Sequence, residues 1–256
     1  MLLLKLFLVP LFLLLVSLAG KRFGPAVAGW LAGLPVVAGP ILFFIAMERG
    51  EVFAATAAAL SLSAVLASVA FSLAYARACL RWGWGVALVA GLSGWCVAAG
   101  VLSQLPMSPG LALGVSLLTL LMAPRLFPAV PVQAAGRGTT TLELACRMLA
   151  GAALTVGVTV AAARLGPAWS GLLAVFPVLG IVLAVFSHRS HGPAFAAALL
   201  RAMATGLYSF VAFCFVLSLA LPAWGVATAF TLATVASLAV QAGTRRRFAG
   251  PLPRAT

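Results

Sequence analysis

Long apolar runs separated by short clusters of Gly, Pro and basic residues dominate the chain, and nine of them read as helices. They cover 2–19, 25–46, 52–76, 82–103, 109–124, 141–162, 167–187, 193–220 and 223–243. A bilayer core about 30 Å thick needs roughly 20 apolar residues per helix, and most of these runs meet that length. Neither the two-residue alternation of a half-buried strand nor a polar helix face recurs along them. The expected fold is therefore all-α, a polytopic membrane protein of about nine transmembrane helices. The first run ends in Ser17-Leu18-Ala19, which resembles a signal-peptide cleavage site. Because Lys21 and Arg22 follow it at once and it has a counterpart later in the chain, it is expected to be a retained helix.

Composition agrees with this picture. Of 256 residues, 64% are hydrophobic and 7% charged, against roughly 25% charged in an average soluble domain. The net charge of +13 comes from 16 Lys and Arg against three acids, Glu48, Glu51 and Glu143. No basic stripe on a polar domain accompanies that charge, so no nucleic-acid partner is expected. Basic residues near span ends instead fix orientation, because they are retained in the cytoplasm, and they meet anionic headgroups there. Lys21, Arg22, Arg77, Arg81, Arg125, Arg137, Arg147, Arg189, Arg245, Arg246, Arg247 and Arg254 fall on one side of the expected topology. Lys5, Arg49 and Arg164 fall on the other, and Arg201 lies inside a span. The expected orientation puts the N-terminus outside and the C-terminus in the cytoplasm.

A shift of 142 positions superimposes the chain on itself. Arg22-Phe23-Gly24-Pro25-Ala26 meets Arg164-Leu165-Gly166-Pro167-Ala168, and without a gap Gly29, Pro35, Gly50 and Trp82-Gly83 meet Gly171, Pro177, Gly192 and Trp224-Gly225. Phe53-Ala54-Ala55 meets Phe195-Ala196-Ala197, and Lys5 falls on Arg147. The expected organisation is a four-helix repeat over 1–104, a linker helix and cytoplasmic loop over 105–140, a second four-helix repeat over 141–245, and a basic tail over 246–256. A unit of four crossings begins and ends on one side, so a single linker helix inverts the second unit. Inverted repeats about an axis in the membrane plane are a recurring plan of secondary transporters.

The stretch Ala28-Gly29-Trp30-Leu31-Ala32-Gly33-Leu34-Pro35, then Glu48-Arg49-Gly50 and Ala54-Ala55-Thr56, resembles the GlpM-like small bacterial inner-membrane proteins. Those proteins are single four-helix units. The second half is similar through Ser170-Gly171-Leu172-Leu173-Ala174-Val175-Phe176-Pro177 but carries Ser190-His191-Gly192 in place of the Glu-Arg-Gly segment. The resemblance implies a fused duplicate in the bacterial inner membrane, with a loose association to exopolysaccharide production and no defined substrate.

Candidate chemistry is sparse. Pro35 and Pro177 lie near the middle of corresponding spans, Pro40 adds a second break, and proline removes a backbone donor and clashes one turn back. Paired interruptions in inverted halves point to a transport site at the midplane, with a packing kink as the alternative. Gly29 and Gly33, and likewise Gly110 and Gly114, are spaced for close helix packing. Arg201 reads either as a holder of an anionic group or as a side chain snorkelling to the cytoplasmic edge. Glu48 and Glu51 read as a solvated cluster. The Gly91-Leu92-Ser93-Gly94 segment has the form of an intramembrane serine protease motif, but nothing else supports a nucleophile there. Neither a phosphate-binding glycine loop nor a metal-type cluster of Asp, Glu, His and Cys is present, so no enzyme, cofactor or metal is expected.

The resulting expectation is an inner-membrane transporter or lipid-type flippase moving a hydrophobic, amphipathic or anionic small molecule, with substrate at Gly29, Pro35, Gly171, Pro177 and Arg201. The alternative is a non-catalytic accessory or scaffold subunit of a polysaccharide or lipid biosynthetic pathway. The partners expected are the bilayer, with anionic headgroups on its cytoplasmic side, and a small-molecule or lipid substrate.

Overall fold

The computed structural model describes residues 2–105, 108–131, 140–165 and 176–245. All regular structure among them is helical: α1 (Leu2–Phe23), α2 (Pro25–Ala32), α3 (Ala38–Arg49), α4 (Glu51–Ala78), α5 (Trp84–Ser103), α6 (Pro109–Leu126), α7 (Thr141–Leu165), α8 (Val178–His191) and α9 (Pro193–Arg245). Local sequence explains the starts. Ser108 accepts a hydrogen bond from the Leu111 amide ahead of α6, with Pro109 at the first helical position. Thr140 does the same for the Glu143 amide ahead of α7.

Six helices, α1, α4, α5, α6, α7 and α9, are long and apolar enough to cross a membrane. The chain is thus an all-helical, multi-pass integral membrane protein. Nine separate spans were expected, and the difference has local causes. The expected span 25–46 is two short helices, α2 and α3, parted by a turn over residues 33–37. There Pro35 cannot donate to Leu31, whose carbonyl instead takes the Leu34 amide at 3.0 Å. Pro40, expected to add a break, sits in the first turn of α3 and is accommodated there. Of the expected span 167–187, residues 166–175 lie outside the described residues, and α8 covers the remainder. The last two expected spans are present as two helices that abut within α9 with no loop between them. Helix α9 bends at Gly225, whose φ of 75° and ψ of 170° are open to glycine alone. Its two arms are 193–224 and 226–245.

Helix boundaries recur at the same 142-residue interval as the sequence match. Arg49 and His191 end α3 and α8, and Glu51 and Pro193 begin α4 and α9. The α3–α4 and α8–α9 junctions each turn on one glycine, Gly50 and Gly192, both with φ of 88°.

The helices meet through small residues, as helices in lipid do when backbone contact replaces the hydrophobic drive. A Cβ on Gly33 would lie 2.2 Å from the Gly206 carbonyl carbon, and one on Gly206 would lie 2.2 Å from the Trp30 carbonyl oxygen. Helix α2 therefore lies backbone to backbone on the first arm of α9. Helices α1 and α7 run antiparallel, since Gly151 sits against Leu13 while Arg147, one turn earlier, bonds Ser17, one turn later. Helix α6 turns Ala112, Ser116, Leu120 and Ala123 toward the bundle, and the Ser116 hydroxyl donates to the Leu62 carbonyl of α4 at 2.7 Å. Gly110 and Gly114, expected to pack, instead face open space on the outside of α6. The outer surface carries Leu3, Phe7, Val52, Val89, Val97, Leu118 and Leu149 largely exposed, an apolar surface suited to lipid tails.

Gly206→Leu is expected to destabilise the fold by about 1–3 kcal/mol or more, because backbone cannot retreat from the added carbons. Gly114→Leu should stay within about 0.5 kcal/mol of the parent. Thermal unfolding in detergent followed by tryptophan fluorescence checks both, and equal melting temperatures would contradict this packing.

Candidate functional site

The interruption between α2 and α3 and the start of α8 face one another across a cavity of about 250 Å³. Ala32, Gly33, Leu34, Val37 and Ala38 line it from the break between α2 and α3, and Phe176, Pro177, Val178, Leu179 and Gly180 from the start of α8. Helix α4 contributes Ser61, Ala64, Val65 and Ser68, α9 contributes Met203, Leu207 and Phe210, and α1 and α7 contribute Lys5, Val9, Thr155, Val158 and Thr159. A chain break in hydrocarbon leaves backbone groups unpaired, so it is tolerated only against protein or a polar cavity.

Six pairs of these residues are 142 positions apart: Leu34 with Phe176, Val37 with Leu179, Ala38 with Gly180, Ser61 with Met203, Val65 with Leu207, and Ser68 with Phe210. Both members of each pair line the same space. Other lining residues have their 142-residue counterparts elsewhere. Those of Lys5, Ile41, Val158 and Thr159 are Arg147, Leu183, Val16 and Ser17, and all four line a second void of only about 10 Å³. Equivalent positions are thus spread around an open cavity at the Lys5 end and closed together at the Arg147 end.

The closed end is held by polar contacts. Arg147, 3% exposed, donates from Nη1 to the Ser17 hydroxyl at 3.0 Å and pairs through Nη2 with Glu143. Ser190 of α8 donates to the same Glu143 oxygen at 2.6 Å, and the guanidinium lies over the Phe186 ring. Three helices, α1, α7 and α8, are tied together there. In the open cavity the hydroxyls of Ser61, Thr155 and Thr159 each donate to a carbonyl of their own helix at 2.7–2.8 Å. Lys5, half-buried, is the cavity's cation. Among the described residues the Arg147–Glu143 contact is the one ion pair.

A lateral pocket of about 460 Å³ lies behind the α2–α3 break, lined by Pro35, Val36, Gly39, Pro40, Phe43, Phe44, Phe213, Phe230, Thr234, Ser237 and Leu238. Leu34 lines this pocket and the central cavity alike.

The residues expected at the site have different fates. Pro177 lines the central cavity; Pro35 lines the lateral pocket instead. Gly29 is spent on packing, since a Cβ there would lie 2.0 Å from the Leu199 carbonyl oxygen. Gly171 lies outside the described residues. Arg201 is exposed and lines neither space. Ser93 is exposed on α5, Glu48 is exposed at the end of α3, and no group of three metal-ligating side chains occurs among the described residues. Sequence reasoning missed Lys5 and Arg147 as site residues and treated them as orientation charges. Their coincidence under the 142-residue shift was the available signal.

Comparison with family models, curated proteins and solved structures finds no match to this chain.

Glu143→Gln is expected to cost about 3–5 kcal/mol, because it strands the Arg147 charge in the protein interior. Arg201→Ala should lie within about 0.5 kcal/mol of the parent. Equal loss of folded yield and melting temperature for the two variants would contradict this assignment of the two arginines.

Proposed function

We propose that this chain is a bacterial inner-membrane carrier, a transporter or lipid-type flippase built from two inverted four-crossing units joined by one linker crossing. In this reading the crossings are α1, the α2–α3 pair, α4, α5, the linker α6, α7, the segment ending in α8, and the two arms of α9. It takes the chain as a fused duplicate of a GlpM-like unit and assigns it no enzymatic step.

The observation that carries the reading is the central cavity. It is bounded by the α2–α3 interruption and the start of α8, lined by residues in pairs of fixed separation, and open at one end while the equivalent positions at the other end are closed. Two antiparallel copies of one unit have two packings of nearly equal energy, which differ in which copy takes which conformation. Exchange between them moves the opening from one face of the bilayer to the other around a fixed midplane site. The antiparallel contact of α1 with α7 supports the inversion.

Orientation rests on charge. Contacts gather basic helix ends at one end of the bundle: Arg77 donates to the Leu126 carbonyl, Arg189 lies over Trp84, and Ser190 meets Glu143 beside Arg147. We place that end in the cytoplasm against anionic headgroups, and Lys5 and Glu48 outside.

The test uses single-cysteine variants in intact cells and inverted vesicles with a membrane-impermeant thiol reagent. Glu48→Cys and Thr159→Cys should react from outside, and Arg189→Cys and, as the carrier cycles, Ser17→Cys from the cytoplasm. Reversed sidedness at Glu48 and Arg189 overturns the topology. A Ser17→Cys that reacts from neither side overturns the carrier and favours an accessory subunit with a permanently sealed end.

A further inference from the structure

We propose that the central cavity and the lateral pocket together hold an anionic amphiphile, its charged headgroup on Lys5 and its apolar tail behind Leu34. This rests on the carrier reading and names the class of its cargo.

Charge accounting leads to the headgroup. The chain has three acidic side chains, and none is at hand for Lys5. Glu143 is engaged by Arg147 and Ser190, Glu48 is exposed at the end of α3, and Glu51 lies by the α9 kink, 3.6 Å from where a Gly225 Cβ would be. At the equivalent position of the second half, Arg147 carries its own carboxylate one turn away. A cation facing a membrane-embedded cavity with no counterion of its own calls for an anion from outside the chain. The hydroxyls of Ser61, Thr155 and Thr159 already give their protons to carbonyls, so the charged donor facing the cavity is Lys5.

Zoning leads to the tail. Because the backbone is interrupted at residues 33–37, the partition between cavity and pocket is a turn carrying Leu34, not a continuous helix. Behind it, Phe43, Phe213 and Phe230 meet edge to face, with Phe43 and Phe230 centroids 5.3 Å apart. Phe43, Phe44 and Leu238 are exposed on the lipid-facing side of that pocket. A tail can therefore enter laterally from the bilayer while the headgroup occupies the cavity. Ser237, 2% exposed, also lines the pocket with a hydroxyl that has no partner among the described residues, and an ester carbonyl at the head of a tail would satisfy it. A small anion without a tail would leave this pocket and this hydroxyl unused.

Two measurements on the full-length protein test the proposal. In detergent, short-chain phosphatidylglycerol should raise the melting temperature at concentrations about tenfold lower than short-chain phosphatidylcholine does. Lys5→Gln should abolish that preference and Lys5→Arg retain it, while Leu34→Trp weakens both lipids by closing the partition. Glycerol 3-phosphate, the headgroup alone, should give no shift. In proteoliposomes, tail-labelled phosphatidylglycerol should cross the bilayer faster than tail-labelled phosphatidylcholine, again only with a cation at position 5. A Lys5→Gln protein that keeps the preference overturns the proposal, as does a Lys5-dependent shift with glycerol 3-phosphate alone, which would make the ligand a free anion. Selective binding without transbilayer movement leaves the site standing and refutes the carrier; movement of both lipids at equal rates does the reverse.

Discussion

In hydrocarbon every backbone amide and carbonyl must find a partner, and this requirement governs the rest of the structure. Pro35 prevents α2 and α3 from forming one uninterrupted helix, and Pro177 stands immediately before α8. The α2–α3 break and the start of α8 face each other inside the bundle. The cavity lies between them, with hydroxyls along its wall and Lys5 near the N-terminal end of α1. The glycine contacts of α2 with α9 follow from the same constraint, because a short helix beside a break gains its stability from close backbone approach.

The two ends of the bundle then differ in a way that a static scaffold does not require. At one end Arg147 pairs with its own carboxylate, Glu143, and bonds Ser17, Ser190 bonds the same carboxylate, and three helices close around them. At the other, the equivalent cation stands at a cavity with no carboxylate near it. A buried ion pair adds little net stability, but separating it strands a charge. In the proposed carrier the closed end is a latch, which opens when another anion can replace Glu143 or when the pair moves as a unit toward water. An anionic cargo supplies the first condition in chemical terms, and the proposed exchange of conformations supplies the second.

Much of the fold was legible in the sequence, and the exceptions have physical causes. Apolar run length placed α1 and α4 through α7 to within a few residues, because lipid thickness dictates it. The 142-residue register foretold the paired junction glycines at 50 and 192, since only glycine takes the backbone conformation needed there. Run length could not see that Pro35 splits a span whereas Pro40, in the first turn of α3, and Pro10, inside α1, do not. The site was half legible. Pro177 was found from its paired position. Arg201 drew attention by its depth along the helix, but a residue's azimuth decides whether it meets lipid or cavity, and azimuth is set by tertiary packing. Lys5 and Arg147 were sorted as orientation charges because each lies near a span end, while their shared place in the repeat carried the better signal.

In the proposed carrier two equivalent ends open in alternation. Spin labels at Leu3 and Val160 report on the Lys5 end, and labels at Leu18 and Ala145 report on the equivalent places at the Arg147 end; all four positions are exposed on α1 and α7. Pulsed electron–electron distance measurements in lipid nanodiscs should give two populations for each pair, with the long distance at one end accompanying the short distance at the other and the balance shifting on Glu143→Gln. A single, unchanging distance at both ends would contradict alternation and leave the bundle a fixed scaffold.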